Sequence, residues 1–300
     1  MEAKNETGRY LQAIACLPPR LMGEAMRIPD ELMACAEEVR LRCGHPFSVV
    51  ADGKEISFKG TPVDAGELRE LLARAARFSV HSYEEDLSRG FLPLEGGHRL
   101  GLCGTVARSN GLIVGYRTLS SVCIRVAREF VDVSAPYFKS ICGAGRCRST
   151  LIVAPPGLGK TTFLRDLIRL CSVNGFRIGV ADERSELAAL RGGSPQFDLG
   201  PQADVIEGTD KAEGAMRLIR TMSPQVVAMD EITEERDLRT IRTAAHCGVS
   251  ILATAHGINV EDLAKKRLFC ELFEQKMFEQ FIILARKDGK RVVRLEAVEC

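Results

Sequence analysis

A short apolar segment near the middle of the chain leads through a proline- and glycine-rich turn into a helix, and few folds accommodate this arrangement. Leu151 to Val153 form the apolar segment, and the apolar residues between Phe163 and Leu170 recur at helical spacing. Strand, glycine-containing turn and helix in this order predict a phosphate-binding loop, because the backbone N–H groups of the turn and the helix N-terminus face an anion. The residues expected to contact the phosphates are Pro155, Pro156, Gly157, Leu158, Gly159, Lys160, Thr161 and Thr162.

Two side chains of this loop have a specific chemical role. Lys160 supplies a positive charge for the phosphates, and the Thr161 hydroxyl is a ligand for Mg²⁺. The usual motif begins with glycine, whereas Ala154 stands at that position in this chain. Alanine fits there if the local φ is negative, since only a positive φ favours glycine. ATP and Mg²⁺ are therefore the expected ligands of the loop.

A second signal for nucleotide hydrolysis lies further along the chain. The apolar segment Val226 to Met229 ends in two carboxylates, Asp230 and Glu231. In this arrangement Asp230 holds the water shell of Mg²⁺, and Glu231 polarises the water that attacks the γ-phosphate. An apolar strand that ends in Asp-Glu is common by itself, but after a phosphate-binding loop it is specific.

Two further strands end in polar residues that fit the same function. The segment Arg177 to Ala181 precedes the acidic segment Asp182 to Arg184, where Glu183 can order the attacking water or the metal. The alternative is a charged turn that only caps a helix over residues 186–190. A later strand ends at His256, which we expect to sense the γ-phosphate, although a single histidine is more often structural.

The position of these groups predicts the architecture. Each follows a strand, as expected when the carboxyl ends of parallel strands meet at one edge of a sheet. The chain is therefore predicted to have an α/β fold, in which residues 149–300 form a RecA-like ATPase domain with a mainly parallel sheet. Residues 1–130 are predicted to form a smaller α+β domain, residues 131–148 a linker with one helix, and residues 192–209 a long polar loop.

The N-terminal half shows no catalytic cluster of its own. It carries four arginines in strand-like segments: Arg99, Arg117, Arg125 and Arg128. One interpretation is that they are solvent-facing strand residues. The other is that Arg99 or Arg125 reaches a nucleotide bound by a neighbouring subunit, because a guanidinium group suits a γ-phosphate. The second interpretation requires a homo-oligomer.

Charge and residue content narrow the choice of partners. The formal net charge is +1 and the chain has no Trp, so there is no strong case for a nucleic-acid partner, which needs a basic channel and stacking aromatics. No apolar segment approaches the length of a membrane span and no signal pattern is visible, so a cytoplasmic location is expected.

The eleven cysteines are scattered, with Cys142 and Cys147 the nearest pair. Buried reduced thiols are expected, for example at Cys171 and Cys247, and a disulfide or a metal site is the alternative.

The order of the phosphate-binding loop, the acidic segment, the Asp-Glu pair and the Thr-Ala-His-Gly segment resembles that of the type II/IV secretion ATPases. More closely, the chain resembles the stage III sporulation protein AA family of endospore-forming bacteria. The segments that carry this resemblance are Glu38–Arg42, Gly97–Gly104, Ile124–Glu129, Pro155–Thr162, Asp182–Glu186 and Met222–Pro224.

This resemblance implies a ring-forming, hexameric ATPase in the mother-cell cytoplasm, which drives or supports a secretion channel to the forespore. The partners it implies are further copies of the chain and membrane-embedded channel proteins of the same sporulation system. Three residues depart from the family pattern, namely Ala154, Gln202 in place of arginine and Thr233 in place of glycine. Two other functions stay open: a nucleotide-gated assembly scaffold with little hydrolysis, for which Ala154 is the argument, and a RecA-like translocase on single-stranded nucleic acid.

Overall fold

The computed structural model describes residues 2–77, 87–88, 90–109, 111–143, 145–287 and 290–297. The chain divides into two compact units, Met1–Arg128 and Glu129–Cys300.

The N-terminal unit contains an antiparallel six-stranded sheet and several helices. Its strands are β1 (Ala36–Arg42), β2 (Ser48–Ala51), β3 (Lys54–Ser57), β4 (Phe91–Pro93), β5 (Arg99–Ser109) and β6 (Leu112–Arg125), in the order β3-β2-β1-β6-β5-β4. Its helices are α1 (Glu2–Ala13), α2 (Pro19–Ala25), α3 (Asp30–Cys35) and α4 (Ala65–Ala75), with a 3-10 turn over Ile14–Cys16. Strand β1 buries Val39 and Leu41 and leaves Arg40 between them partly exposed, which is the two-residue period of a half-buried strand.

The C-terminal unit is built on a seven-stranded sheet. The strands are β9 (Thr150–Ala154), β10 (Ile178–Asp182), β11 (Ala203–Glu207), β12 (Val226–Met229), β13 (Ser250–His256), β14 (Gln280–Lys287) and β15 (Lys290–Ala297). A short hairpin of β7 (Cys142–Gly143) and β8 (Arg146–Cys147) precedes them. The helices are α5 (Ala135–Ile141), α6 (Lys160–Val173), α7 (Lys211–Thr221), α8 (Glu235–His246), α9 (Val260–Ala264) and α10 (Arg267–Glu274).

The order of the strands places the predicted site at one edge of this sheet. The order is β11-β10-β12-β13-β9-β14-β15, and every neighbouring pair is parallel except β14–β15. All five residues of β9 are buried, as expected for a parallel strand covered on both faces. The carboxyl ends of β9, β10, β12 and β13 therefore lie at the same edge, and the prediction of a mainly parallel sheet is confirmed. None of the helices in the described ranges combines the length and the apolarity needed to cross a membrane.

Two local predictions in this unit are wrong. Residues 192–209 are not only a loop, because β11 pairs in parallel with β10. All five residues of β11 are only half-buried, so the segment lacks the apolar run that marks an inner strand. Residues 186–190 do not form a helix. Their first four N–H groups donate to the carboxylate of Asp182, which competes with helical hydrogen bonding.

The cysteines also differ from the expectation of buried reduced thiols. Cys142 and Cys147 are joined by a disulfide, whereas Cys171 is a buried free thiol. Cys247 caps the C-terminal end of α8 and is exposed, because the apolar spacing of that helix ends before it. The other exposed free cysteines among the described residues are Cys43 and Cys103.

Candidate functional site

The phosphate-binding loop connects the end of β9 to the start of α6. Gly157 and Gly159 have φ values of 76° and 81°, a left-handed conformation that favours glycine. Ala154 differs, since it lies within β9 and pairs with His256 of β13. It is not among the described residues with positive φ. The backbone therefore does not require glycine at this position.

Lys160 begins α6 and is 8% exposed. Its ammonium group donates to the carbonyl oxygen of Ala154 (3.1 Å) and to Nδ1 of His256 (2.9 Å). Burial lowers the pKa of Lys160, while the nearby carboxylates of Asp230 and Glu231 act in the opposite direction. The lysine is thus held at the turn where a phosphate-binding cation is expected.

The side chain of Asp230 forms hydrogen bonds both to the helix that follows the phosphate-binding loop and to β13. Its carboxylate accepts hydrogen bonds from the hydroxyl groups of Thr161 (2.7 Å) and Thr254 (2.5 Å). The Thr161 hydroxyl and the Asp230 carboxylate thus lie together, and both are hard oxygen ligands of the kind that Mg²⁺ prefers. The residues present therefore fit a bound Mg²⁺ ion.

Glu231 is held in an uncommon backbone conformation, with φ of 56°. Its N–H donates to the Thr254 hydroxyl (2.8 Å), which fixes this conformation. One carboxylate oxygen lies 2.5 Å from Nε2 of His256, and the other accepts from the guanidinium of Arg184 at 2.5 Å. Left-handed backbone at a non-glycine residue costs about 1–3 kcal/mol and is concentrated at functional sites.

His256 therefore bridges the lysine and the glutamate. Because Lys160 can only donate, Nδ1 of His256 is the acceptor and the ring proton resides on Nε2, which donates to Glu231. The predicted site residues Lys160, Thr161, Asp230, Glu231 and His256 are thereby brought together in one polar network.

The acidic segment at the carboxyl end of β10 contributes two carboxylates with different surroundings. Glu183 lines the same cavity as Asp230 and Glu231, and it pairs with the buried Lys211 at 3.2 Å. Burial alone lowers the pKa of Lys211, but Asp237 and Glu183 outweigh it, so that its pKa is raised and the ammonium stays charged.

Asp182 also lines this cavity, but its carboxylate is bound by backbone N–H groups. It is 3% exposed and accepts from the N–H groups of residues 186–189 at 2.8–3.3 Å. This carboxylate shapes the turn that carries Glu183 and Arg184.

We expect Asp182→Ala to lower the free energy of unfolding by about 3 kcal/mol or more, because several buried N–H groups would lose their acceptor. Urea unfolding followed by circular dichroism measures this change. Asp198→Ala is the matched control, since Asp198 is exposed and its own contacts lie at the surface. Equal losses in the two variants would contradict the structural role of Asp182.

Two basic residues at the site were missed by sequence reasoning. Lys211 stands directly after the N-cap Asp210 of α7, where a lysine carries no positional signal. Arg291 of β15 lies against the loop, with Nη2 3.5 Å from the carbonyl oxygen of Gly159. Its contact depends on the pairing of β14 with β15, which brings a distant part of the chain to the phosphate-binding loop.

The predicted arginines Arg99 and Arg125 belong to the N-terminal unit. They lie directly opposite each other on β5 and β6. The guanidinium of Arg99 lies over the ring of Phe91, 4.6 Å from its centroid. The side chain of Arg125 is 67% exposed and lies 4.0 Å from Glu38. Their role at a neighbouring subunit stays a prediction.

Comparisons with known proteins identify relatives of the whole chain. The family model described as "Sporulation stage III, protein AA" matches residues 11–295. Stage III sporulation protein AA of Bacillus subtilis (strain 168) is 36% identical over 284 residues, which are 92% of this chain and 91% of that protein.

Two solved structures show the same fold. The Legionella pneumophila ATPase DotB has a TM-score of 0.56 at 15% identity, covering 87% of this chain and 76% of that chain. The pilus retraction motor PilT with bound ADP has a TM-score of 0.61 at 16% identity, covering 89% and 80%. These similarities confirm the predicted RecA-like α/β fold with an α+β part before it.

Proposed function

The chain belongs to the sporulation stage III protein AA family, and we propose that it is a Mg²⁺-dependent ATPase that works as a homo-oligomeric ring. The reaction is the hydrolysis of ATP to ADP and phosphate. The observation that carries this proposal is the single network in which Lys160, Thr161, Asp230, Glu231 and His256 are joined by hydrogen bonds. A phosphate-binding loop with only a structural role would need neither two metal ligands, such as Thr161 and Asp230, nor a neighbouring glutamate, such as Glu231.

The side chains of the network divide the chemistry between them. Thr161 and Asp230 would hold the metal ion, which when bound would neutralise phosphate charge. Glu231 accepts a proton from the attacking water, and its carboxylate is oriented by His256 and Arg184. Lys160 supplies a fixed positive charge to the phosphates. Glu183 and Lys211 form an ion pair that lines the cavity beside Asp230 and Glu231.

We propose that Arg125 completes this site in a neighbouring subunit. Its exposed guanidinium lies 4.0 Å from Glu38, whereas the guanidinium of Arg99 lies over the ring of Phe91. An arginine supplied in trans explains why the ATPase would require a ring, since one subunit alone has an incomplete site. A hexamer is the proposed form.

Membership of a sporulation family indicates the process in which this activity is used. We propose that the ring acts in the mother-cell cytoplasm, where it drives or supports a channel to the forespore. Its partners would be membrane-embedded channel proteins of the same sporulation system.

One experiment tests the ring and the activity together. The ATPase rate per subunit is measured against protein concentration, and the mass of the particle is determined with and without ATP and Mg²⁺. A rate per subunit that rises steeply with concentration, together with a mass of several subunits, is expected. Hydrolysis at a constant rate per subunit by a monomer would contradict the shared site, and tight binding of ATP without phosphate release would contradict the ATPase.

Ala154→Gly is expected to leave the ATPase rate within about twofold of the natural protein, because the backbone at Ala154 is that of an ordinary strand. The same change should lower the free energy of unfolding by roughly 0.5–1 kcal/mol, through the greater chain entropy of glycine. Steady-state ATPase assays and urea unfolding measure the two effects, with Ala228→Gly in β12 as the stability control. A large rate increase would instead mean that the alanine slows hydrolysis.

A further inference from the structure

Three cysteine sulfurs converge at the end of the phosphate-binding helix that lies away from the loop. Cys142 and Cys147 face each other across the β7–β8 hairpin and form its disulfide. Cys171 lies in the last turn of α6, the helix that begins with Lys160. Its sulfur is 3.4 Å from that of Cys142 and 3.7 Å from that of Cys147. Since the other two sulfurs are bonded to each other, only the Cys171 thiol can donate, and its single hydrogen faces both of them.

The surroundings of the three sulfurs favour the uncharged thiol and disulfide forms of cysteine over thiolates. Cys142, Cys147 and Cys171 are 5%, 3% and 0% exposed and belong to one apolar core cluster. Burial raises the pKa of the Cys171 thiol to about 12, so this thiol is protonated at neutral pH. A metal site of three cysteines needs thiolates, and among the described residues this group has no fourth ligand. A disulfide beside a thiol carries no charge and suits an apolar core.

We propose that Cys142, Cys147 and Cys171 form a redox-active trithiol, in which the Cys142–Cys147 disulfide is the oxidised state and Cys171 is a third thiol able to exchange into it. The oxidant is a low-molecular-weight disulfide. Its S–S bond is broken, the Cys142–Cys147 bond forms, and the two protons of the cysteine thiols leave on the two small thiols released.

Exchange within the trithiol needs no further oxidant. Cys171 lies beside the S–S bond, at similar distances from its two sulfurs, so its side chain must first move into line with that bond. The Cys171 thiolate then attacks the sulfur of Cys142, the Cys142–Cys147 bond breaks, and the proton lost by Cys171 is taken up by the Cys147 thiolate. In the product, the disulfide joins Cys142 of the hairpin to Cys171 of α6 and no longer joins the two strands of the hairpin. Because the thiolate of Cys171 is scarce below pH 12, this exchange is slow at neutral pH and accelerates as the pH rises.

The pairing can be read directly by mass spectrometry. The full-length protein is reduced, exposed to oxidised glutathione and alkylated, and its disulfides are mapped in tryptic digests. In the natural chain, Cys142 is expected to become linked to Cys147, and the other nine cysteines are expected to be alkylated or, where exposed, joined to glutathione. Cys171→Ser should keep this link, whereas Cys147→Ser should link Cys142 to Cys171, the pair of the group that then remains.

The controls separate the proposal from its alternatives. Cys247→Ser removes an exposed cysteine and should leave the pairing unchanged. If serine in the core prevents folding, Cys147→Ala and Cys171→Ala give the same reading with an apolar side chain. Eleven reactive thiols after oxidation, or no link between Cys142 and Cys171 in a folded Cys147 variant, would overturn the proposal. Stoichiometric zinc in the purified protein that is lost on replacing Cys171 would also overturn it in favour of a metal site. None of these readouts depends on ATP hydrolysis.

Discussion

Glu231→Gln is expected to lower the rate of ATP hydrolysis by about 10²–10⁴-fold, which is the usual contribution of a positioned general base. The amide keeps the size of the carboxylate and one oxygen that can accept from Nε2 of His256. Its NH2 group cannot accept from Arg184, so that contact is lost, but the phosphate-binding loop is untouched. Binding of ATP should therefore persist. The variant is expected to retain labelled ATP through gel filtration under conditions in which the natural protein releases ADP.

The control for this variant is Glu235→Gln, which removes the charge of an exposed glutamate near the start of α8. It should hydrolyse ATP at the natural rate. Hydrolysis by Glu231→Gln at that same rate would show that another group accepts the proton, and Glu183 would be the next candidate because it lines the same cavity.

Arg125→Ala is expected to lower hydrolysis by about 10³-fold or more, because an arginine supplied to the γ-phosphate contributes about 10³–10⁵ to the rate. ATP binding and ring formation should remain, since the loop and the network around Asp230 are untouched. Steady-state assays together with mass determination measure both properties. Arg117→Ala is the matched control, because Arg117 lies exposed on the same strand, β6. Arg99→Ala, assayed in parallel, tests the other candidate.

Subunit mixing shows whether Arg125 acts between subunits. Lys160→Ala subunits are inactive but carry Arg125, and Arg125→Ala subunits have an intact phosphate-binding loop. A mixture of the two should recover activity that neither variant has alone, since some loops then adjoin a subunit with Arg125. Absence of recovery in mixed rings, confirmed by mass, would place Arg125 outside the site of its neighbour.

Much of the C-terminal unit was predictable because its signals are local. The apolar strand, the glycines with positive φ and the lysine of the phosphate-binding loop are consecutive in the chain, and Asp230 and Glu231 directly follow an apolar strand. The strands are parallel, and this brings their carboxyl ends together without any further information. The assignment of catalytic roles to these residues remains a proposal.

The features that sequence reasoning missed depend on contacts between distant residues. Strand β11 is polar and half-buried, so only its pairing with β10 identifies it as a strand. The turn after Asp182 has the composition of a helix start, but one buried carboxylate takes four of its N–H groups. Likewise, Lys211 and Arg291 reach the site from α7 and β15, and no motif marks either residue.

The position of His256 between Lys160 and Glu231 has a consequence for the timing of a catalytic cycle. The cation that should hold phosphate and the carboxylate that should accept a proton are bonded to opposite nitrogens of one ring. An anion that engages Lys160 must compete with an internal partner, so substrate binding exchanges one contact for another and is weaker than an unpaired lysine would allow. When the anion leaves, Nδ1 of His256 can again accept a hydrogen bond from Lys160. In the proposed ATPase this would favour release of the product, and a site that releases its product readily completes more cycles than one that binds it tightly.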